Sequence, residues 1–156
     1  MPALDIGENV ELLVVETEVV SLDFPSVGPQ GAQGIRGDGG YWEYTAPAGF
    51  TVGGGRILSL DNTGNLIYAD NTINTTAETL IGISINAAIP GDIVRIVYNG
   101  EADDSGWSWL PGKQLYVGLN GVITQIPPST GYVMPIGIAR TATKIVVQIR
   151  TPIITV

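Results

Sequence analysis

The sequence predicts an all-β homotrimer: a small antiparallel β-barrel or sandwich of two similar hairpin-containing units, preceded by a short triple-helical stalk and an extended N-terminal anchoring segment. Three observations support this prediction. Glycine and proline are abundant, with 21 and 10 of the 156 residues, which is typical of short strands and tight turns. Glycine recurs at every third position before residue 41. After it, strand-like runs alternate with turn signals at the spacing of sandwiches and barrels.

The first segment, residues 1–27, is predicted to be extended. Its centre is rich in β-branched and apolar residues with glutamate interleaved, and its charged residues are all acidic. A short strand of this kind cannot bury both faces by itself, so we expect it to pair with another chain or with the domain behind it. The candidate anchoring side chains are Val10, Leu12, Val14, Val19 and Leu22.

The second segment, residues 28–40, carries the clearest local signal. Its periodic glycines are Gly28, Gly31, Gly34, Gly37 and Gly40. A triple helix requires this period because only glycine fits at its crowded axis, and four triplets would span roughly 35 Å. Four triplets would not trimerise alone, so folded ends would have to supply stability. A flexible glycine-rich linker is the alternative interpretation.

The third segment, residues 41–156, is predicted to be a C-terminal β domain with a weak internal repeat. Each unit consists of a hairpin with a glycine turn, an Ile-Gly-Ile strand and an alternating strand. In the first unit these three parts begin at Leu58, Leu80 and Asp92, and in the second unit they begin at Leu115, Pro135 and Lys144. We expect Gly82 and Gly137 to lie where strands bend or approach closely. Residues 75–80 could form one helical turn at most.

Composition excludes several classes of function. A net charge of −8 with only seven basic residues argues against nucleic acid and against anionic membranes as partners. The chain has no cysteine and no histidine, which removes the commonest general base and the commonest ligands of transition metals. No signal peptide and no membrane-spanning run is expected. We therefore expect no catalytic residue, no cofactor and no metal.

Two acidic groups could still supply hard oxygen ligands for Ca²⁺. One contains Glu101, Asp103 and Asp104, and the other joins the Asp61-Asn62 and Asp70-Asn71 pairs. Neither has the spacing of a defined loop motif, and turn-forming Asp and Asn explain them more simply. Asp103 and Asp104 would point to opposite faces of a strand, which weakens a glycosidase interpretation.

Trp107 and Trp109 are two residues apart and are predicted to share one strand face. Aromatic side chains at such a place pack a core or an interface, or stack on sugars. Packing within the body or between protomers is the simpler interpretation, and weak glycan binding is the alternative.

The run from Gly106 to Gln125, with Pro127-Pro-Ser-Thr-Gly, Ile136-Gly-Ile-Ala and Thr151-Pro-Ile-Ile, resembles a module of tailed-bacteriophage virion proteins. The resemblance covers about residues 50–156. Such modules occur in small head-fibre or capsid-decoration proteins and in some tail-fibre proteins, and the family has no catalytic residues to carry over. The acidic, strand-rich N-terminus followed by Gly-X-Y triplets also resembles phage proteins that trimerise through a collagen-like piece.

The resemblance implies a structural virion protein at the capsid surface. The N-terminal segment would attach to the major capsid protein by strand addition, and the β body would stand off at the end of the stalk. Two other functions remain open: a tail-fibre or receptor-binding protein that recognises host glycan, and a polysaccharide-degrading enzyme, which would need a cleft with two opposed carboxylates.

Overall fold

The computed structural model describes residues 40–154, which all lie in one compact unit. Two sets of predicted residues lie outside this range, the anchoring side chains and the first four periodic glycines: Val10, Leu12, Val14, Val19, Leu22, Gly28, Gly31, Gly34 and Gly37. Gly40 is described. It precedes the first strand, and its carbonyl accepts a hydrogen bond from the Tyr98 amide (3.4 Å). Gly40 is therefore joined to the β body.

Short antiparallel strands are the main regular structure of residues 40–154, which confirms the all-β prediction. The elements are β1 (Tyr41–Thr45), β2 (Ile57–Leu60), β3 (Leu66–Tyr68), α1 (Asn74–Glu78), β4 (Leu80–Ser84), β5 (Ile93–Val97), β6 (Asn99–Asp103), β7 (Gln114–Val117), a 3-10 turn (Leu119–Gly121), β8 (Ile123–Thr124), β9 (Tyr132–Val133), β10 (Pro135–Ala139), β11 (Lys144–Gln148) and β12 (Ile153–Ile154). The helix has only five residues. In the described part of the chain, no helix is long and apolar enough to cross a membrane.

The strands form two five-stranded sheets with the same internal order. The first sheet runs β3-β2-β4-β5-β1, and the second runs β8-β7-β10-β11-β6; β9 and β12 pair separately. Each sheet thus places a hairpin, an Ile-Gly-Ile strand and an alternating strand side by side. We refer to β1–β5 as the first repeat and to β6–β12 as the second repeat.

Backbone pairing shows which residues of the two repeats are equivalent. Leu58 pairs with Gly82 in the first sheet, and Leu115 pairs with Gly137 in the second. In both sheets the ladder beside this glycine shifts its register. On its other side the glycine lies against the next strand, β5 or β11, so closely that a Cβ would overlap the carbonyl oxygen of Val97 or Val146. The predicted close approach at Gly82 and Gly137 is confirmed.

An ion pair also occurs at the same place in both repeats. It shows that the alignment of the two repeats made from the sequence needs to be corrected. Arg95 pairs with Glu43 (3.1 Å) in the first sheet, and Lys144 pairs with Asp103 (3.4 Å) in the second. Lys144 is therefore the counterpart of Arg95, whereas the comparison of the two units in the sequence had aligned Lys144 with Asp92. The prediction was wrong by three residues, because Ile-Val occurs twice in β5, at Ile93 and at Ile96, and the sequence comparison matched Ile145-Val146 to the first of them.

Two clusters of buried side chains stabilise the body. The shared core joins both sheets: it contains Ile57, Ile83 and Val97 of the first repeat together with inward side chains of the second repeat, such as Leu115 and Ile145. A second cluster lies on the opposite face of the first sheet, which is consequently buried on both faces. The segment after β1 covers this cluster, through Phe50 and through Val52, which bridges to Ala88. Burial of this kind contributes about 25 cal/mol per Å² of apolar surface.

Candidate functional site

Trp107 and Trp109 lie in the loop between β6 and β7, so the expectation that they share a strand face is wrong. A turn, closed by the Trp107 amide donating to the Asp104 carbonyl (3.1 Å), takes the chain out of the sheet before the first tryptophan. The two rings nevertheless meet. Their centroids are 5.8 Å apart with planes inclined by 51°, and both side chains pack half-buried against the shared core. The simpler interpretation, packing within the body, therefore accounts for most of their surface.

Hydrogen bonds hold this loop in place. The Asp104 carboxylate accepts from the Gly106 amide (2.8 Å), and the Trp109 amide donates to the Ala142 carbonyl (2.9 Å). The latter bond has a counterpart in the first repeat, where the Val52 amide donates to the Ala88 carbonyl (2.8 Å). The tryptophan loop is thus the repeat equivalent of the segment that covers the first sheet.

A cleft of about 330 Å³ lies between the tryptophan loop and the segment that precedes β2. Its lining includes Arg56, Asp104, Trp107 and Trp109. Gly55 makes room for the indole: its φ is +67°, and a Cβ there would lie 3.1 Å from Trp107 Nε1. The indole N–H of Trp109 is buried and has no hydrogen-bond partner among residues 40–154.

An aromatic surface beside a carboxylate and a guanidinium can bind a small polar ring such as a sugar, by stacking and by hydrogen bonds to hydroxyl groups. Hydrolysis of a glycosidic bond needs two opposed carboxyl groups. Asp104 is the only carboxylate among the described residues that line this cleft. The described lining of the cleft therefore lacks the pair of carboxyl groups that glycoside hydrolysis requires.

The acidic residues that could have bound Ca²⁺ have other partners. Glu101 pairs with Arg140, and Asp103 pairs with Lys144. Asp61 caps its own turn by accepting from the Thr63 amide (2.8 Å) and hydroxyl and from the Asn65 amide. Within residues 40–154, no cluster of three or more acidic side chains has the geometry to hold a metal ion. The turn-forming interpretation of Asp61 and Asp70 is confirmed by these bonds.

Asn71, which the sequence indicated only as a possible Ca²⁺ ligand or turn residue, joins the two repeats. Its amide donates to the Gly118 carbonyl (3.2 Å), its side-chain amide donates to the Thr130 carbonyl (2.8 Å), and its carbonyl accepts from the Tyr132 amide (2.8 Å). The Asn71 side chain is buried. A buried asparagine with satisfied polar groups stabilises one arrangement of the chain, because moving it would leave those groups unpaired.

The neighbouring Asp70 also spans the junction. Burial opposes its ionisation, but hydrogen bonds from the Thr72 hydroxyl and amide (2.6 and 2.9 Å) and from the Asn120 amide (3.0 Å) outweigh burial and hold the pKa of Asp70 below its ordinary value. Asn120 has φ +50° in the turn before β8. The ionised form of Asp70 thus ties the end of β3 to a left-handed residue of the second repeat.

We expect Asp70→Asn to lower the free energy of unfolding at pH 7 by about 1 kcal/mol, because an amide nitrogen cannot accept from the Asn120 amide and the site is partly exposed. A lowered folded-state pKa stabilises the fold above the unfolded-state pKa, and this stabilisation is lost as pH falls through the folded-state value. The difference between the two proteins should therefore shrink below about pH 4. Urea titrations at several pH values measure it.

Asp61→Asn is the matched control for this substitution. It also removes a carboxylate whose pKa is lowered, chiefly by the Thr63 hydroxyl. All of its hydrogen bonds go to a single oxygen, which asparagine retains. We expect a smaller loss than in Asp70→Asn. Equal losses in the two variants, or a difference that does not change with pH, would contradict the role assigned to the Asp70–Asn120 bond.

Comparisons with protein-family models and with curated proteins give no match to this chain.

Proposed function

We propose that this protein is a structural virion protein of a tailed bacteriophage: a trimeric capsid-decoration or head-fibre protein at the capsid surface. The observation that carries the proposal is the glycine period of residues 28–40, which leads directly into a β body whose first strand begins at residue 41. Glycine at every third position lets three chains share a triple-helical axis. A stalk that ends in a β body is the architecture of a short fibre.

The N-terminal segment is proposed to attach this fibre to the major capsid protein. Residues 1–27 are rich in strand-forming side chains, with Val10, Leu12, Val14, Val19 and Leu22 as candidate anchors. Extended segments bind by adding a strand to an exposed sheet edge. Three such segments on one trimer would bind together, so weak individual contacts would give stable attachment.

The proposal includes no catalytic activity and no resident cofactor. Histidine and cysteine are absent from the chain, and a single carboxylate lines the cleft beside the tryptophans. Most glycoside hydrolases need a second carboxyl group at a defined distance from the first. A structural role requires neither group.

A second candidate function is recognition of host-surface glycan by a tail fibre. The cleft with Trp107, Asp104 and Arg56 favours it, because stacking on an indole and hydrogen bonds to charged groups are the usual means of holding a sugar. Decoration remains the first proposal, because both tryptophan side chains already pack against the shared core, which leaves less of their surface for a ligand.

Electron microscopy of virions made with and without this chain tests the location. We expect projecting density to disappear from the head, at three-fold or quasi-six-fold positions that suit a trimer. Loss of density from the tail instead would contradict decoration and is the outcome that the glycan-binding candidate requires. Unchanged virions would contradict both functions.

A further inference from the structure

The strand β1 forms one edge of the first sheet and carries aromatic side chains. In the part of the chain that the structure describes, its only partner strand is β5. Trp42 is 43% exposed, and the Tyr98 ring stacks on its indole with a centroid distance of 4.3 Å. Tyr41 and Tyr44 flank Trp42 in the strand and are half-buried. We refer to these four residues as the aromatic edge.

The equivalent edge of the second sheet, β6, is built differently. The repeated ion pairs make Glu43 equivalent to Asp103. One residue earlier, Trp42 is therefore equivalent to Ala102, which is 3% exposed and belongs to the shared core. The β6 strand also carries Glu101 and Asp103, and charged side chains are a usual protection of a free edge. The fold can thus form this edge without exposed aromatic rings, so Trp42 calls for another explanation.

The chain enters β1 directly from the periodic glycines. Gly40 lies against the aromatic edge, since a Cβ there would be 3.2 Å from Tyr98 Cζ. The preceding periodic glycine, Gly37, is four residues before Tyr41. Glycine lies at the common axis of a triple helix, and four residues span at most about 14 Å. In the proposed trimer, β1 of every copy therefore begins within about 14 Å of the axis.

The width of the first sheet limits how three copies can surround this axis. All four other strands of the sheet lie on one side of β1, and with neighbours about 4.8 Å apart they extend about 19 Å from it. Three copies cannot all turn these strands toward the same axis, because the sheets would overlap. The sheets must extend away from the axis or around it. The β1 strand, with its aromatic side chains, is then the part of each sheet nearest to the axis.

We propose that the aromatic edge is the surface through which the β bodies of three copies pack against one another, around the axis of the proposed stalk. This inference rests on the proposed trimer and names its contact in the β body. The partner is another copy of this chain, because the stalk would bring three such edges together at high effective concentration. Aromatic side chains are enriched at protein interfaces, and polar groups at the rim. The Glu43–Arg95 ion pair (3.1 Å) supplies such groups beside Trp42.

Substitution of Trp42 in the full-length chain tests the inference. Trp42→Ala removes the exposed indole. Ile126→Ala is the matched control, since Ile126 is also a large apolar residue, is 78% exposed and lies outside the aromatic edge. Light scattering over a dilution series, with graded urea where dilution alone leaves the trimer intact, measures dissociation, and circular dichroism of the same samples verifies folding.

We expect Trp42→Ala to raise the concentration at which half of the trimer dissociates by about tenfold or more, as for a central aromatic residue of an interface. Ile126→Ala should leave this concentration unchanged. Unchanged dissociation of Trp42→Ala, or equal shifts in the two variants, would overturn the inference and leave the proposed trimer in place. A natural protein that is monomeric at every concentration would overturn both.

Fluorescence quenching provides a second test that keeps Trp42 and does not depend on the folding of Trp42→Ala. Trp107→Phe combined with Trp109→Phe leaves Trp42 as the only tryptophan. We expect acrylamide to quench Trp42 about fivefold less efficiently in the trimer than in the dissociated chain, because the centre of an interface excludes solvent. Equal quenching in both states would contradict the proposed contact, whether Trp42 is open in both or shielded in both by its own chain.

Discussion

Replacing Gly137 with alanine is expected to destabilise the β body by about 3 kcal/mol or more, at the upper end of overpacking effects. An added Cβ would overlap the Val146 carbonyl oxygen of the adjacent strand and approach Val147 Cα to 3.2 Å. These are backbone atoms of a paired ladder, so they cannot move without breaking hydrogen bonds of the second sheet. Thermal and urea unfolding followed by circular dichroism measure the loss.

Gly82→Ala should have a comparable effect, because Gly82 is the equivalent residue of the first sheet. Its Cβ would overlap the Val97 carbonyl oxygen and lie 2.8 Å from Ile96 Cγ2, and its φ of +144° is unfavourable for any other residue. Gly54→Ala is the control, since a Cβ there would meet its nearest neighbour, the Ala87 amide, at an ordinary 3.6 Å. A stable Gly137→Ala protein, or one no less stable than Gly54→Ala, would contradict this account of the repeat.

Replacing Gly34 with valine is expected to abolish the proposed trimer, or to weaken it enough that the protein elutes as a 16.4 kDa chain. Gly34 is the central glycine of the periodic run, and a side chain at the axis of a triple helix has no space. Ala32→Val is the control: Ala32 follows a periodic glycine, and in a triple helix that position points away from the axis, so we expect this variant to preserve the proposed trimer. Light scattering of both variants at the same concentration gives the masses.

Unchanged mass and melting temperature in Gly34→Val would contradict the triple helix and favour the glycine-rich linker. A β body that still folds in the variant is expected, because residues 41–154 have their own core.

Two kinds of strand could be predicted from the sequence: those in which apolar and polar residues alternate, and those that contain the tripeptide Ile-Gly-Ile. Ile93–Val97 and Lys144–Gln148 alternate, and each is an interior strand of its sheet. β1 and β6 were missed. They are edge strands whose residues are mostly exposed, so no apolar period marks them, and Asn99-Gly100 at the start of β6 indicated a turn instead.

The candidate cleft could be predicted only in part. The spacing of Trp107 and Trp109 drew attention to them, but their place in a loop depends on a backbone bond to Ala142, thirty-three residues further along. Arg56 and Gly55 come to the same cleft from the other repeat. Contacts between residues so far apart follow from how the two sheets pack, and no local pattern records them.

The sequence by itself determined that the chain is built from short strands in two related units, because glycine, turn residues and β-branched side chains act through local backbone geometry. It also indicated where strands bend or approach closely, since each repeat keeps a glycine at the same point. Only the tertiary structure decided which residues of β11 correspond to which residues of β5 and, with it, which face of each sheet is inward. A strand shifted by an odd number of residues presents its other face, and the partner strand, which lies far away in the sequence, selects between the two.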